Sequence, residues 1–128
     1  MNNEQSNMEY DIKLTSVYVF VKNLKRATEF YEKIFNQKAQ GDPPTFFVGG
    51  GIRFWLFDYQ TANDERAVFG HNCLPSFEVN DIKSFMTKLE ELKVKIVYPL
   101  TLLGKSLVLE FTDTEGNDIE VWQLNKYV

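Results

Sequence analysis

The stretch FTDTEGNDIEVW, residues 111–122, decides how this chain folds. Residues 113–117 are dense in turn formers, and Gly116 can take the positive φ that a tight reversal needs. Leu107, Leu109 and Phe111 alternate before the turn, and Ile119 and Val121 follow it, so the segment reads as a hairpin. A period of two puts Ile119 and Val121 on one face and Asp118, Glu120 and Trp122 on the other. With the first face on a core, Glu120 and Trp122 point into whatever the sheet encloses.

Outward from this hairpin, one unit is written twice. Residues 12–21 read as a strand with Val17, Val19 and Val21 on one face and Ser16, Tyr18 and Phe20 on the other. Asn23 caps a helix running to about residue 35, with Leu24, Ala27, Phe30, Tyr31 and Ile34 as its buried stripe. The GDPP at 41–44 breaks the pattern, and strands at 45–48 and 52–58 follow, joined by glycines 49–51. No Lys-Ser/Thr follows those glycines, so they read as a hairpin turn and not as a phosphate loop.

The second copy has a strand at 74–79, Asp81 as cap, and a helix over 82–92 with Ile82, Phe85, Met86, Leu89 and Leu92 on one face. A strand at 93–98 and a loop at 99–104 then lead into the hairpin. VKNL at 21–24 matches VNDI at 79–82, and Tyr31 and Ile34 match Leu89 and Leu92 at the same offset. The expected organisation is a flexible tail at 1–9, a first module at 10–58, a polar linker at 59–72 and a second module at 73–128, together one structural domain. The fold class is α+β: two tandem β-α-β-β-β modules forming a curved, half-open mixed sheet with helices outside.

Composition narrows the function. The chain has 128 residues, enough for one compact unit, and a net charge of −4 without a run of Lys or Arg that would track phosphates. Nucleic acid is not an expected partner. No apolar stretch is long enough to span a bilayer, and residues 1–9 lack the apolar core of a signal peptide, so the expectation is a cytoplasmic protein with no membrane partner. Cys73 is the only cysteine, which excludes an internal disulfide and a multi-cysteine metal site. An inert, partly buried thiol is the expected state.

The inner face of such a sheet collects Ser16, Tyr18, Phe20, Arg53, Trp55, Phe57, Leu74, Ser76, Glu78, Glu120 and Trp122. Aromatic walls with a few polar groups suit a small-molecule ligand; the bland alternative is that the rings fill a sealed sheet. Glu120 is the one candidate catalytic group, as a general base, or else a structural carboxylate bonded to Tyr18 or Arg53. Glu78 could form a carboxylate pair with it. His71 reads as a surface residue. Trp55 and Trp122 offer stacking area and one N–H each.

Several segments together resemble the vicinal oxygen chelate superfamily, which includes glyoxalase I, extradiol dioxygenases and the bleomycin and fosfomycin resistance proteins. The carriers are VKNL at 21–24 with FYEKIF at 30–35, FEVNDI at 77–82, and FTDTEGNDIE at 111–120, where Thr114 replaces the proline of the family's usual turn. The resemblance implies metal-ligand positions at Ser16, Trp55, Leu74 and Glu120, of which only Glu120 is a good ligand; a register slip would bring in His71 or Arg53. No cofactor is therefore expected, and a divalent metal is not favoured. The expected function is a metal-independent, glyoxalase/bleomycin-resistance-like protein binding a small aromatic or amphipathic molecule in an aromatic-lined cleft, and a homodimer by analogy. Two alternatives stand beside it: a metal-dependent lyase or dioxygenase of the glyoxalase type, and a closed-pocket regulatory or interaction module.

Overall fold

The computed structural model describes residues 13–59, 69 and 73–125. The expected tail at 1–9, His71 and most of the expected linker at 59–72 lie outside the described residues. In chain order the elements are strand β1 (Ser16–Val21), helix α1 (Leu24–Phe35), strands β2 (Thr45–Phe47), β3 (Arg53–Asp58) and β4 (Ser76–Glu78), helix α2 (Ile82–Glu91), and strands β5 (Ile96–Leu103), β6 (Ser106–Thr112) and β7 (Asp118–Leu124). They form two mixed sheets, a three-stranded one in the order β1-β3-β2 and a four-stranded one in the order β4-β7-β6-β5. In each, the strand before the helix pairs in parallel with the last strand of its half. No helix among the described residues is long and apolar enough to cross a membrane.

Local chemistry explains the elements. Asn23 and Asp81 cap the helices, accepting from the N–H groups of Arg26 and Ser84 at 3.0 and 3.1 Å. Asn36 ends α1 in the left-handed conformation, its N–H bonded to the Glu32 carbonyl. Glycines 49–51 all have positive φ and turn β2 into β3, as a hairpin requires.

Two expectations need correction. The loop expected at 99–104 is strand as far as Leu103, and only Gly104 and Lys105 form the turn. Pro99 is tolerated because β5 is an edge strand, and the register with β6 shifts on either side of Tyr98. In the first half, the counterpart of β5 is reduced to a single bridge, Gln40↔Thr45. Pro43 and Pro44 lack the N–H groups a longer ladder would use. The Gln37 side chain takes the place of that ladder, accepting from the Phe47 N–H and donating to its carbonyl.

The parity of the strands is as expected. Val19, Val21, Phe54 and Leu56 bury one face of the first sheet under Ala27 and Tyr31 of α1. Leu109, Phe111, Ile119 and Val121 bury one face of the second sheet with Ile82 and Leu89 of α2. Phe30, Phe35 and Phe77 pack against both clusters, so the halves share one apolar seam. At that seam Phe77 meets the rings of Phe35 and Phe54 at 5.4 and 5.8 Å.

The polar part of the seam is the turn between β6 and β7. Asp113, Glu115 and Asn117 are buried there, at 5%, 2% and 9% exposure. Asp113 Oδ1 accepts from the N–H groups of Glu115 and Asn117, both at 2.8 Å. Its Oδ2 accepts from the Tyr31 hydroxyl at 2.6 Å. Asn117 Nδ2 donates to the Phe20 carbonyl across the seam. Glu115 accepts from the N–H groups of Lys22 and Asn23 at 2.8 and 2.9 Å, and from the Arg26 guanidinium through both carboxylate oxygens. Gly116 takes the positive φ that this turn requires.

Burial alone would raise the Glu115 pKa. Bonds from Arg26, Thr114 and the N–H groups of Asn23 and Lys22 outweigh it and hold the pKa at about 2. Burial also pushes the Tyr31 hydroxyl well above its ordinary value, reinforced by the Asp113 carboxylate beside it. Because the folded Glu115 pKa lies below the ordinary 4.5, its stabilisation is complete above that pH and is lost as pH falls towards about 2. Glu115→Gln is expected to cost about 2–3 kcal/mol at neutral pH. Urea unfolding of parent and variant at a series of pH values should show the difference shrinking between pH 4.5 and about 2.

Candidate functional site

The face of each sheet turned away from its helix carries the residues that sequence parity had grouped. In the first sheet Tyr18, Trp55 and Thr45 form one row across three strands, and Ser16, Arg53 and Phe47 the next. The Tyr18 ring lies 4.6 Å from that of Trp55 and 5.9 Å from that of Phe57, and Phe57 lies 6.0 Å from Phe20. These rings make a continuous aromatic wall. Tyr18 remains 51% exposed, so the wall has an open surface. The Trp55 Nε1–H is buried and has no hydrogen-bond partner among the described residues. Ser16 is half-buried and Arg53 exposed.

The second sheet has a different chemistry on the same kind of face. Ser76, Glu120, Glu110 and Tyr98 share a row, and Glu78, Trp122, Val108 and Thr101 the next. Ser76 donates its hydroxyl to Glu120 Oε1. Glu120 is therefore bonded to Ser76 and not to Tyr18 or Arg53. The carboxylate directly across the ladder from Glu120 is Glu110; Glu78 stands opposite Trp122 instead. Leu74 precedes β4 and lies outside the sheet, half-buried. Cys73 is exposed, against the expectation of partial burial, because it too precedes the strand.

The sequence reading passed over Glu110, Tyr98, Val108 and Thr101 on this face, and Thr45 and Phe47 on that of the first sheet. The signal for Glu110 was available: once the turn at 113–117 sets the register, the parity that faces Glu120 inward faces Glu110 the same way. Tyr98 follows from Glu110 only through β5, whose irregular register hides it.

The rows of the two sheets fix which side chains could meet around a divalent ion. Trp55 stands opposite Tyr18 and not Ser16, and Glu120 opposite Ser76 and not Leu74. Of the implied ligand positions only Glu120 offers a strong ligand, and its row adds the Glu110 carboxylate; a catalytic ion needs about three ligands drawn from imidazole, carboxylate or thiolate. Among the described residues no group of three or more His, Cys, Asp or Glu could hold a metal. The first face supplies ring area and an exposed guanidinium, and the second a hydroxyl–carboxylate pair.

Comparison with known proteins agrees with this architecture. The family model described as Glyoxalase/Bleomycin resistance protein/Dioxygenase superfamily matches residues 13–121. Among solved structures, the chain is similar to a lactoylglutathione lyase from Agrobacterium tumefaciens, at 20% identity and a TM-score of 0.68 over 87% of this chain and 92% of that one. It is similar also to TnmS3, an antibiotic binding protein from Streptomyces sp. CB03234, at 17% identity and a TM-score of 0.70 over 92% and 99% of the two chains. A glyoxalase/dioxygenase from Nostoc punctiforme gives 15% identity and a TM-score of 0.69 over 88% and 90%. At such identities the likeness is one of fold. No curated protein matches the chain in sequence.

The unpartnered Trp55 N–H carries a stability consequence. Trp55→Phe removes a buried donor that has nothing to bond, so it is expected to stay within about 1 kcal/mol of the parent. Phe54→Ala, one residue along on the core face, should cost about 3–5 kcal/mol. Thermal and urea unfolding of the two variants check this contrast.

Proposed function

This chain belongs to the Glyoxalase/Bleomycin resistance protein/Dioxygenase superfamily, and we propose that within it the protein is a metal-independent binder of a small aromatic or amphipathic molecule. The observation that carries this reading is the wall of Tyr18, Trp55 and Phe57, ring against ring, with Tyr18 half open to solvent. A planar ligand stacked there gains apolar burial and ring–ring contact at little ordering cost, since the wall is already assembled. Arg53 supplies a charge for an acidic substituent. Ser76 and Glu120, already bonded to each other, supply acceptor oxygens for a polar one, and Trp122 adds a second ring beside them. Glu120 acts in this reading as an orienting carboxylate.

The donor set supports binding without a metal, and the fold-level likeness to an antibiotic binding protein is consistent with capture as a function. The same reading makes the protein a cytoplasmic homodimer without nucleic-acid or membrane partners. The net charge of −4 disfavours a polyanionic partner, and the exposed Leu102, Leu103 and Leu124 offer apolar surface to a second copy.

The test is a titration of planar aromatic amines against tryptophan emission in the presence of EDTA, paired with calorimetric titration of Zn²⁺ into chelator-free protein. Saturable quenching, one ligand per chain, with a Kd below about 100 µM is expected. Tyr18→Ala should weaken it at least about tenfold. One tightly held metal per chain, together with turnover of glutathione hemithioacetals or catechols, would replace this reading with a lyase or dioxygenase. Neither ligand nor metal binding would leave a closed-pocket module.

A further inference from the structure

A half-open cavity of about 310 Å³ lies at the seam between the halves, lined mainly by core-facing side chains of the helices and sheets. Its walls are the rings of Tyr31, Phe35, Phe47, Phe77, Phe85 and Phe111, completed by aliphatic side chains that include Ile34, Val48 and Ile119. These rings come from α1, β2, β4, α2 and β6, so neither half builds the cavity alone. We propose that this seam cavity is a second binding site, separate from the aromatic wall, for an uncharged, ring-sized apolar molecule.

Size, lining and origin support the assignment. Apolar cavities of roughly 150 Å³ stay dry and accept benzene, so about twice that volume suits a ligand of one or two rings. The polar residues at the lining are Gln37 and Glu78. Both ends of the Gln37 amide are engaged by the Phe47 backbone, at 2.8 and 3.1 Å, so it has little to offer water inside. Glu78 is exposed, and its carboxylate disfavours an anionic guest. The cavity borders the place where the first sheet carries one bridge in place of a full outer strand, so Phe47 and Val48 have no strand beyond them. The opposite wall is held firm, because the Tyr31 hydroxyl is fixed on Asp113. A preformed apolar space between two cores, with a firm wall on one side and an uncovered edge on the other, has the shape of a ligand site.

The probe for this site is N-phenyl-1-naphthylamine, uncharged and emissive in apolar surroundings. Its emission should rise several-fold and saturate at one probe per chain. Two-dimensional NMR locates it: Trp55 and Trp122 are the only tryptophans, and both lie on the open faces, whereas the Ile34 and Ile119 methyls belong to the seam. A probe in the cavity should shift the Ile34 and Ile119 methyls and leave both indole N–H signals in place. Val48→Phe should fill the space and weaken the probe at least about tenfold. The milder Val48→Leu should weaken it less and keeps the test valid if the larger ring disturbs folding. No rise in emission at about 100 µM probe, or indole shifts without methyl shifts, would overturn the proposal. The second result would place the probe on the aromatic wall, so failure here and failure of the open-face reading are distinguishable.

Discussion

Asp113 and Glu115 sit in the turn between β6 and β7 with their carboxylates out of water, and the two halves of the molecule meet around them. A buried charge is costly unless its lone pairs are met by donors. Here Asp113 Oδ1 is met within the turn by the Glu115 and Asn117 N–H groups, and the other half supplies the Tyr31 hydroxyl, the N–H groups of Lys22 and Asn23, and the Arg26 guanidinium. The junction between β1 and α1 and the β6–β7 turn are therefore specified together. A displaced arrangement of the halves would strip the buried carboxylates of the donors that come from across the seam. Apolar packing through Phe30, Phe35 and Phe77 supplies much of the contact, but it is tolerant of small shifts; the directional bonds set the orientation.

Around that joint, a duplicated fold has diverged in its two copies. The second half keeps a full four-stranded sheet, and the first has three strands with a bridge beyond. The exposed faces have diverged as well. One is a wall of rings with an arginine at its edge, and the other pairs glutamates with hydroxyls and a single indole. The shortened first sheet also leaves room at the seam. The same asymmetry thus shapes the open face and the internal cavity.

Much of this was legible in the residues. Helices with Asn23 and Asp81 as caps, stripes at spacings of three and four, and the alternation of Val17, Val19 and Val21 are local signals, set by contacts within a few residues. The grouping of Tyr18 with Trp55 and of Ser76 with Glu120 followed from parity, and the ladders keep those residues on shared faces. Where local rules misled, a non-local contact prevailed. Pro99 reads as a loop former, yet it sits in β5 because only one edge of that strand is paired. Glu110 was passed over because the alternation of Leu107, Leu109 and Phe111 drew the reading to the core face.

The amino-acid sequence by itself determined the element types, their duplicated order, the core face of each strand and the family, because all of these rest on short-range periodicity and turn chemistry. Tertiary structure alone decided what the DTEGN turn is for. As a string it is a hairpin reversal; in the fold its carboxylates bond residues some ninety positions away. Tertiary structure also decided which residues stand opposite Glu120 and Trp55, and where the chain leaves unfilled space. Register, burial of charge and packing gaps depend on pairs of segments distant in sequence, and no local pattern records the meeting of two such segments.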